Sequence, residues 1–324
     1  IITAVSHSEV LKEGDILLGS LRLPILNKLK EINLLRLIEE KQPNILNKIV
    51  ICDFPKSRLR YFEKIENRSI GWYSISYETY KRSNKKYGKS IRYFNSKKGK
   101  ELPIALRMTR KLCRLLGYYV GEGCTYRGGI IFTFGIKEKA LNSDFESCAK
   151  SIFGKTHIRK KVIHGSAVQI YIEGKLYKLF FNVLGAGNTA KGKKIPWIIF
   201  NVSNGFKKEF LKAYFKCDGN VKMRKSGFEI DHNTVSSGLA SDIVWLHTYF
   251  GITPKIETSI SKPHLVNKTG QYIRTSSKKY RVVIGSKKDI AKALWYLEGD
   301  IKKRFMNYLN SKEQHASSYL RIPV

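Results

Sequence analysis

The apolar residues of the chain adopt a clear helical spacing from residue 112 onward. Leu112, Leu115, Leu116 and Tyr119 stand at positions i, i+3, i+4 and i+7, the spacing of one buried helix face. We expect this helix to end at Glu122, before a glycine in the left-handed conformation.

A second segment repeats this pattern about a hundred residues later. Residues 115–123 read LLGYYVGEG and residues 211–219 read LKAYFKCDG. Both stretches end in an acidic residue followed by glycine. Both also carry small residues four positions apart, Gly117 with Gly121 in the first and Ala213 with Cys217 in the second.

The similarity continues downstream, because a Phe-Gly pair ends the next predicted helix in each copy, at Gly154 and at Gly251. Strand-like segments and a further helix follow. They are 156–161, 167–172 and 176–184 in the first copy, and 253–258, 279–284 and 288–297 in the second. Each copy therefore reads as helix, strand pair, helix, strand pair, helix, which predicts an α+β fold with a pseudo-two-fold axis.

The small residues predict that the two repeated helices pack against each other. Glycine inside a helix costs about 1 kcal/mol relative to alanine, so Gly117 and Gly121 make sense where two backbones approach closely. The acids that follow, Glu122 and Asp218, would then be neighbours.

Glu122 and Asp218 are the candidate metal-binding acids. A carboxylate at a helix C-terminus is disfavoured by the helix dipole by roughly 0.3–1 kcal/mol, which indicates a task beyond stability. Two converging carboxylates repel unless a cation lies between them, and Mg²⁺ prefers oxygen ligands. We expect a metal site formed by Glu122 and Asp218 with the adjacent Gly121 and Cys217; taken singly, either acid could be a solvated helix-end residue.

Charge identifies the kind of partner. The chain has 60 Lys and Arg against 26 Asp and Glu, a formal net charge of +34, so a polyanion is expected to offset the self-repulsion. No apolar run approaches the roughly 20 residues of a membrane-spanning helix, which favours nucleic acid over a membrane. Five widely spaced cysteines without a CxxC pair predict an intracellular protein without disulfides, and the histidines show no zinc pattern.

A strongly basic segment precedes the repeat. Residues 81–100 contain nine Lys or Arg and no acid, interleaved with Tyr87, Tyr93 and Phe94 and preceded by Tyr80. A flexible linker is one interpretation. We favour an accessory DNA-contacting segment, because aromatic side chains on a phosphate-binding face can pack or stack.

The paired motifs resemble those of single-chain LAGLIDADG (DOD-type) homing endonucleases, over about 102–309. The resemblance implies two αββαββα units whose sheets form a saddle in the DNA major groove, in a monomer that acts as a pseudo-dimer. It also implies cleavage of both DNA strands with Mg²⁺, which Mn²⁺ could replace. Glu122 replaces the commoner Asp, a variant that the family shows especially in archaeal inteins.

The resemblance also implies a basic catalytic residue near each acid. Lys193 matches this position in the first copy, and Lys302 or Lys303 is the candidate in the second. Either could instead contact a phosphate or be solvated. Residues expected to contact DNA are Lys81, Arg82, Lys85, Lys86, Lys89, Arg92, Arg159, Lys161, Gln169, Arg224, His232, Lys279 and Arg281.

Residues 5–24 resemble the segment that joins an intein splicing domain to its endonuclease. The expected divisions are a splicing-domain remnant or linker at 1–27, an accessory region at 28–104, repeats at 105–198 and 199–312, and a tail at 313–324 that leads back to the splicing domain. The chain lacks the initial nucleophile, the Thr-x-x-His block and the terminal His-Asn pair of an intein. We therefore expect that the chain is a fragment of a longer parent and that the chain as given does not splice itself. We expect its source to be the cytoplasm of a prokaryote of archaeal type.

Two other functions fit the same fold and charge: a cleavage-inactive DNA-binding relative and an intron RNA maturase. Retention of both motif acids favours the nuclease.

Overall fold

The computed structural model describes residues 28–52, 56–67, 69–70, 74–87, 93–96, 100–154, 156–224, 227–261, 264–266, 271–273 and 276–310. The chain forms two compact units, one that ends at Cys217 and one that begins at Asp218. Among the helices of the described residues, none has the length and apolar character to span a membrane.

The first unit begins with a small α/β region before the repeat. Its helices are α1 (Leu34–Lys41), α2 (Leu59–Glu66) and α3 (Tyr77–Tyr87), and its strands are β1 (Glu31–Asn33), β2 (Ile49–Cys52), β3 (Ile75–Ser76), β4 (Tyr93–Ser96), β5 (Lys100–Pro103) and β6 (Ala105–Arg107). Strands β1 and β6 pair, and the other four form an antiparallel sheet in the order β3-β2-β4-β5.

The basic segment is therefore built into this region. Its first part continues α3 and a later part forms β4, a central strand of the sheet. Tyr80 and Phe94 are buried, so these two aromatic rings belong to the core of the region. The interpretation of this segment as a flexible linker is wrong for α3 and β4.

The first copy of the repeat has the predicted order of elements. It consists of α4 (Arg110–Glu122), β7 (Gly123–Tyr126), β8 (Gly129–Gly135), α5 (Lys139–Phe153), β9 (Ile158–Ile163), β10 (Ala167–Glu173) and α6 (Lys175–Val183). Thr109 is the N-cap of α4, because its side chain accepts a hydrogen bond from the Leu112 amide. The strands form one antiparallel sheet in the order β7-β8-β10-β9.

The short α7 (Trp197–Phe200) leads to the second copy, which has the same order of elements. It consists of α8 (Asn204–Asp218), β11 (Gly219–Arg224), β12 (Gly227–Thr234), α9 (Ser237–Thr248), β13 (Lys255–Ser261), β16 (Ser277–Ile284) and α10 (Lys287–Ala293). Its sheet order, β11-β12-β16-β13, corresponds strand for strand to that of the first copy. The prediction of two tandem αββαββα units is thus confirmed.

Two additions to the second copy were not predicted. A hairpin of β14 (His264–Val266) and β15 (Gln271–Ile273) lies between β13 and β16, and helix α11 (Gly299–Asn310) follows α10. Of the residues of α11, only Phe305 is buried.

Each sheet buries one face by alternation of apolar residues. In the first copy Ile130, Phe132 and Phe134 of β8 are buried, and Phe132 packs 4.3 Å, centroid to centroid, from Phe145 of α5. Burial of such side chains on one face of a strand follows from its two-residue period.

Two histidines lie in the core of the second copy. His232 of β12 and His247 of α9 have no exposed surface, and their rings are 5.7 Å apart. Nδ1 of His247 lies 2.7 Å from the Ile243 carbonyl oxygen, and Nε2 lies 2.7 Å from the Tyr296 hydroxyl. The neutral ring with a proton on Nδ1 satisfies both bonds. Burial lowers the pKa of His247 to about 4 and the pKa of His232 well below its usual range.

Acid should therefore destabilise the second unit through these two groups. Unfolded histidine titrates near 6.5, so the unfolded chain takes up protons first as the pH falls. The stabilisation is complete above about pH 6.5 and is lost toward pH 4, by about 3 kcal/mol for His247 alone. Urea unfolding at a series of pH values measures this loss. His232→Phe should make the free energy of unfolding less dependent on pH between 6.5 and 4; an unchanged dependence would contradict the assignment.

Candidate active site and sheet faces

Helices α4 and α8 approach each other at the small residues. A Cβ placed on Gly117 would lie 2.5 Å from the Phe210 carbonyl oxygen and 2.9 Å from the Ala213 Cβ, and one on Gly121 would overlap the Cys217 Cβ. Since real Cβ atoms do not come so close, the contact requires glycine at both positions. The predicted packing of the motif helices through these four residues is confirmed.

The two acids end the two helices. Glu122 is the last residue of α4 and Asp218 is the last residue of α8, as predicted, and both side chains are half-buried. Each is followed directly by a glycine that begins a strand, β7 or β11. The acids therefore stand at corresponding points of the two copies.

The expected left-handed conformation of Gly123 is wrong. Its φ is −82° and its ψ is 145°, which is extended backbone. Glycine is required here for space, because a Cβ would lie 2.8 Å from both the Cα and the carbonyl oxygen of Tyr119. The chain passes from helix into strand without a turn, and this brings Gly123 against the last turn of α4.

Lys193 lies at the end of α4, near the predicted position. Its side chain is 4% exposed, and its ammonium donates hydrogen bonds to the carbonyl oxygens of Tyr119 and of Gly123, the latter at 2.5 Å. It also lies 3.8 Å from the centre of the Tyr119 ring. Lys193 thus contacts both the last turn of α4 and the first residue of β7.

Lys302 is exposed on α11. This helix is anchored by Phe305, whose ring lies 4.2 Å from that of Phe228 on β12. Phe228 lies beside the turn between β11 and β12. Gly219, which follows α8, pairs instead with His232. His232 is four residues beyond Phe228 on β12, a distance of about 13 Å along the strand. The anchor of α11 thus lies at the hairpin end of β11 and β12, and the catalytic role of Lys302 stays a prediction. Lys303 is also exposed and forms a 3.8 Å ion pair with Asp300.

The open face of the first sheet carries three of the predicted DNA-contacting residues. Val168, Ile170 and Ile172 of β10 are buried, so Gln169 belongs to the opposite face. Arg159 pairs across the ladder with Tyr171, and Lys161 with Gln169.

The polar residues of this face contact one another. The Arg159 guanidinium lies 4.1 Å from the centre of the Tyr171 ring, and the Tyr171 hydroxyl donates a 2.6 Å hydrogen bond to Gln169. Arg159 also forms a 3.4 Å ion pair with the exposed Glu173. The sequence predicted the basic residues of this face but not the aromatic ring that orders them.

Arg281 of the second sheet corresponds to Gln169 of the first. Gly123 pairs with Phe132, and the next residue, Thr133, pairs with Gln169. In the same way Gly219 pairs with His232, and the next residue, Asn233, pairs with Arg281. Its guanidinium contacts Glu229 at 2.5 Å, Asp231 at 2.7 Å and Glu257 at 2.7 Å, and its side chain is 17% exposed. Burial acts to raise the pKa of Asp231, but Arg281 and Lys222 outweigh it and hold that pKa below its usual range. Its Nη1 and Nη2 groups thus hold three carboxylates, and the DNA contact by Arg281 stays a prediction.

The predicted DNA contact by His232 is wrong. Gly219 pairs with His232 as Gly123 pairs with Phe132, so the histidine takes the place of a core phenylalanine. The two-residue alternation of Phe228, Ile230 and His232 carried this information, because Ile230 is buried on the same face.

The other predicted contacts are distributed over several elements. Lys81 and Arg82 are exposed on α3, where Lys81 forms a 2.8 Å ion pair with Glu39 of α1. Lys279 is exposed on β16 opposite Ser259. Lys85 and Lys86 belong to α3 and Arg224 ends β11, but their side chains lie outside the described residues, as do Lys89 and Arg92 entirely.

An ion cluster that the sequence did not predict joins α4 to its neighbours. Arg114 contacts Asp144 of α5 at 3.0 Å and Glu209 of α8 at 2.8 Å. The Tyr118 hydroxyl donates a 2.6 Å hydrogen bond to Asp144. Sequence spacing gave no signal for it, because its members come from three helices.

No group of three or more His, Cys, Asp or Glu side chains within the described part of the chain is arranged to hold a metal ion. A metal here would have to draw on fewer side chains, together with backbone oxygens, water or a ligand.

Comparison with known proteins gives a family match for the second copy. Residues 205–296 match the model of a family described as a LAGLIDADG-like domain. This range begins in α8 and ends just after α10.

Three curated relatives are archaeal. An uncharacterised protein of Methanocaldococcus jannaschii is 26% identical over 269 residues, which cover 72% of this chain and 30% of that protein. The DNA polymerase II large subunit of Thermococcus kodakarensis is 31% identical over 44% of this chain and 8% of its own length. An A-type ATP synthase subunit of Pyrococcus abyssi is 29% identical over 51% of this chain and 16% of its own length. The chain thus spans less than a third of each relative.

Among solved structures, I-DmoI in complex with DNA and Ca is similar with a TM-score of 0.39 and 13% identity. The match covers 61% of this chain and 97% of that one.

The helix contact generates a test with a matched control. Gly117→Ala should lower the free energy of unfolding by about 1–3 kcal/mol, because the added methyl meets the Phe210 backbone in a filled interface. Gly205→Ala, in the same unit, meets only Ser203 Oγ at 3.9 Å and should leave stability unchanged or raise it by up to about 1 kcal/mol. Urea unfolding of both variants measures the two changes in the free energy of unfolding. Equal changes would show that the packing of α4 against α8 does not need glycine at position 117.

Proposed function

We propose that this chain, which contains a LAGLIDADG-like domain over residues 205–296, is a site-specific endonuclease that hydrolyses both strands of double-stranded DNA with divalent metal. The observation that carries the proposal is the repeated placement of an acid. Each αββαββα copy puts one carboxylate at the last residue of its first helix, directly before the first strand.

In this proposal Glu122 and Asp218 form one paired active site. Support comes from the contact of Gly121 with Cys217, since these residues immediately precede the two acids. Each acid then serves mainly one of the two scissile phosphates.

The donors suit Mg²⁺, with Mn²⁺ as a substitute. Mg²⁺ is typically held by one or two carboxylates with water and substrate phosphate rather than by a cage of protein side chains. Glu122 and Asp218 provide the carboxylates, and the carbonyl groups of Gly121 and Cys217 lie in the last helical turns, where carbonyls lack intrahelical partners. A bound divalent ion would activate water and stabilise charge on the phosphate.

The DNA partner is supported by charge and by the open sheet faces. A formal charge of +34 favours a polyanion, and phosphate contacts dominate the affinity of DNA-binding proteins. Arg159, Lys161 and Gln169 share one open face, where such side chains could contact phosphates and base edges. Because one chain carries both copies, a monomer would act as a pseudo-dimer on an asymmetric site.

We infer that the chain is the endonuclease part of an intein. The supporting observation is that similar segments occur within a component of a DNA polymerase and within a component of an ATP synthase, proteins that differ in task and share only a small part of their length with this chain. An element inserted into unlike hosts explains that distribution. It would act on DNA inside a prokaryotic cell.

Replacing the acids separates a nuclease from a binding protein. Glu122→Gln and Asp218→Asn keep shape and remove the negative charge that would hold the metal. The DNA substrate is the host-gene sequence without the inserted element, in which the two flanks of the insertion site are joined. The double variant should bind this DNA with an affinity within about threefold of that of the unmodified chain. It should cleave the same DNA at least about a hundredfold more slowly. Each single variant should accumulate nicked plasmid.

The matched control is Asp300→Asn, an exposed acid on α11, which should cleave normally. Linear plasmid produced by the double variant in Mg²⁺ would refute the acid assignment. Binding without cleavage by the unmodified chain would favour the cleavage-inactive DNA-binding alternative, and preference for structured RNA would favour the maturase.

We further propose that the accessory region contacts DNA phosphates through α3. Replacing Arg82, Lys85 and Lys86 by Gln should weaken DNA binding and reduce the slope of log affinity against log salt concentration by about 0.9 for each phosphate that is no longer neutralised. Arg36→Gln on the exposed side of α1 is the control and should leave the slope unchanged. If the triple variant and the control have equal slopes, α3 does not contact the backbone of DNA.

A further inference from the structure

Lys193 binds two backbone carbonyl oxygens, one before Glu122 in the sequence and one after it. Its ammonium donates to the carbonyl oxygen of Tyr119, three residues before the acid, and to that of Gly123, the residue after it. The Tyr119 carbonyl oxygen also accepts a hydrogen bond from the Gly123 amide, and this bond closes the last turn of α4. One side chain therefore joins the end of the helix to the start of β7.

The loop that carries Lys193 is fixed against Tyr119. The Tyr119 hydroxyl donates a 3.0 Å hydrogen bond to the Gly187 carbonyl oxygen, and its ring stacks on Phe181 at 3.7 Å. Gly187 has φ +73°, and a Cβ there would overlap the backbone of Gly192, so the loop folds back on itself directly before Lys193. The ammonium is thus delivered by a closely packed loop.

A buried ammonium is costly unless its donors are satisfied. Here two carbonyl oxygens and the face of the Tyr119 ring, 3.8 Å away, stabilise the charge. A cation is also favoured at a helix C-terminus, where the carbonyl groups point outward. The arrangement is therefore suited to fix backbone at the point where the chain leaves the helix.

We propose that Lys193 is a positioning residue, which directs the Glu122 carboxylate by binding one backbone carbonyl oxygen before it and one after it. The proposal rests on the proposed nuclease function and assigns to Lys193 a different role from that of a catalytic base. Its effect should fall mainly on one strand, because Lys193 binds backbone on either side of Glu122 and Glu122 is proposed to serve mainly one scissile phosphate.

The test compares Lys193→Met with Lys194→Met. Methionine keeps length and removes the donors, and Lys194 is the exposed neighbour. Amide hydrogen exchange is measured without metal, with the amides of α5 as internal reference. In Lys193→Met, exchange of the amides of residues 121–125 should quicken at least tenfold while α5 is unchanged; Lys194→Met should match the unmodified chain. If Lys193→Met quickens exchange throughout α5 as well, the comparison passes to Lys193→Leu, which also removes the donors, and is read in the same way.

Cleavage of a duplex labelled on either strand is the second readout. Lys193→Met should slow cleavage of one strand at least tenfold, spare the other within about threefold, and leave the shape of the pH–rate profile unchanged. Unchanged exchange at residues 121–125, or loss of a titration step from the pH–rate profile, would overturn the proposal. Failure of the unmodified chain to cleave DNA would instead refute the nuclease function, and the exchange result would still decide whether Lys193 locks the end of α4.

Discussion

The structure of the first unit depends on the close approach of α4 and α8. Two helices whose backbones meet need a position without a side chain, and Gly117 and Gly121 provide it against Phe210, Ala213 and Cys217. Arg114 strengthens the same contact from its edge by binding Glu209 of α8. The helix penalty of two glycines, about 1 kcal/mol each, is thereby offset by packing that no larger residue permits.

The end of α4 is constrained more tightly than a helix end requires. Gly123 continues into β7 in extended conformation, Tyr119 is held by Phe181 and Gly187, and Lys193 binds carbonyls on either side of Glu122. The second copy is stabilised by different means. Its sheet face carries Arg281 among three carboxylates, and its core contains a pair of neutral histidines where the first copy has Phe132.

The repeat could be predicted from sequence because both of its signals are local. Helical spacing around Leu115 and the recurrence of an acid before glycine define the elements, and Gly154 and Gly251 end helices with positive φ, as their Phe-Gly pairs indicated. The left-handed Gly123 was wrong because the same residue type serves a close approach as well as a turn. The DNA contact predicted for His232 was wrong because the chemical versatility of histidine outweighed its alternation with Ile230, which indicated the core; the register opposite Gly219 agrees with that alternation.

The roles of the basic residues depend on pairings across the sheets and between distant segments, which sequence spacing does not encode. Arg281 finds Glu229 and Glu257 on neighbouring strands, and Lys193 reaches a helix some seventy residues earlier. In a chain with 60 basic residues, composition alone does not distinguish a phosphate contact from a structural ion pair. The charge therefore predicts the partner better than it predicts the contacts.

The central claim is that Glu122 and Asp218 share one metal-dependent active site. The most direct measurement is a crystal structure of the chain bound to its target duplex with Mn²⁺, in which anomalous scattering locates the metal. The account predicts Mn²⁺ between or beside the two carboxylates, with these no more than about 10 Å apart, the span of adjacent metal sites. Carboxylates farther apart, or Mn²⁺ bound only elsewhere, would contradict it.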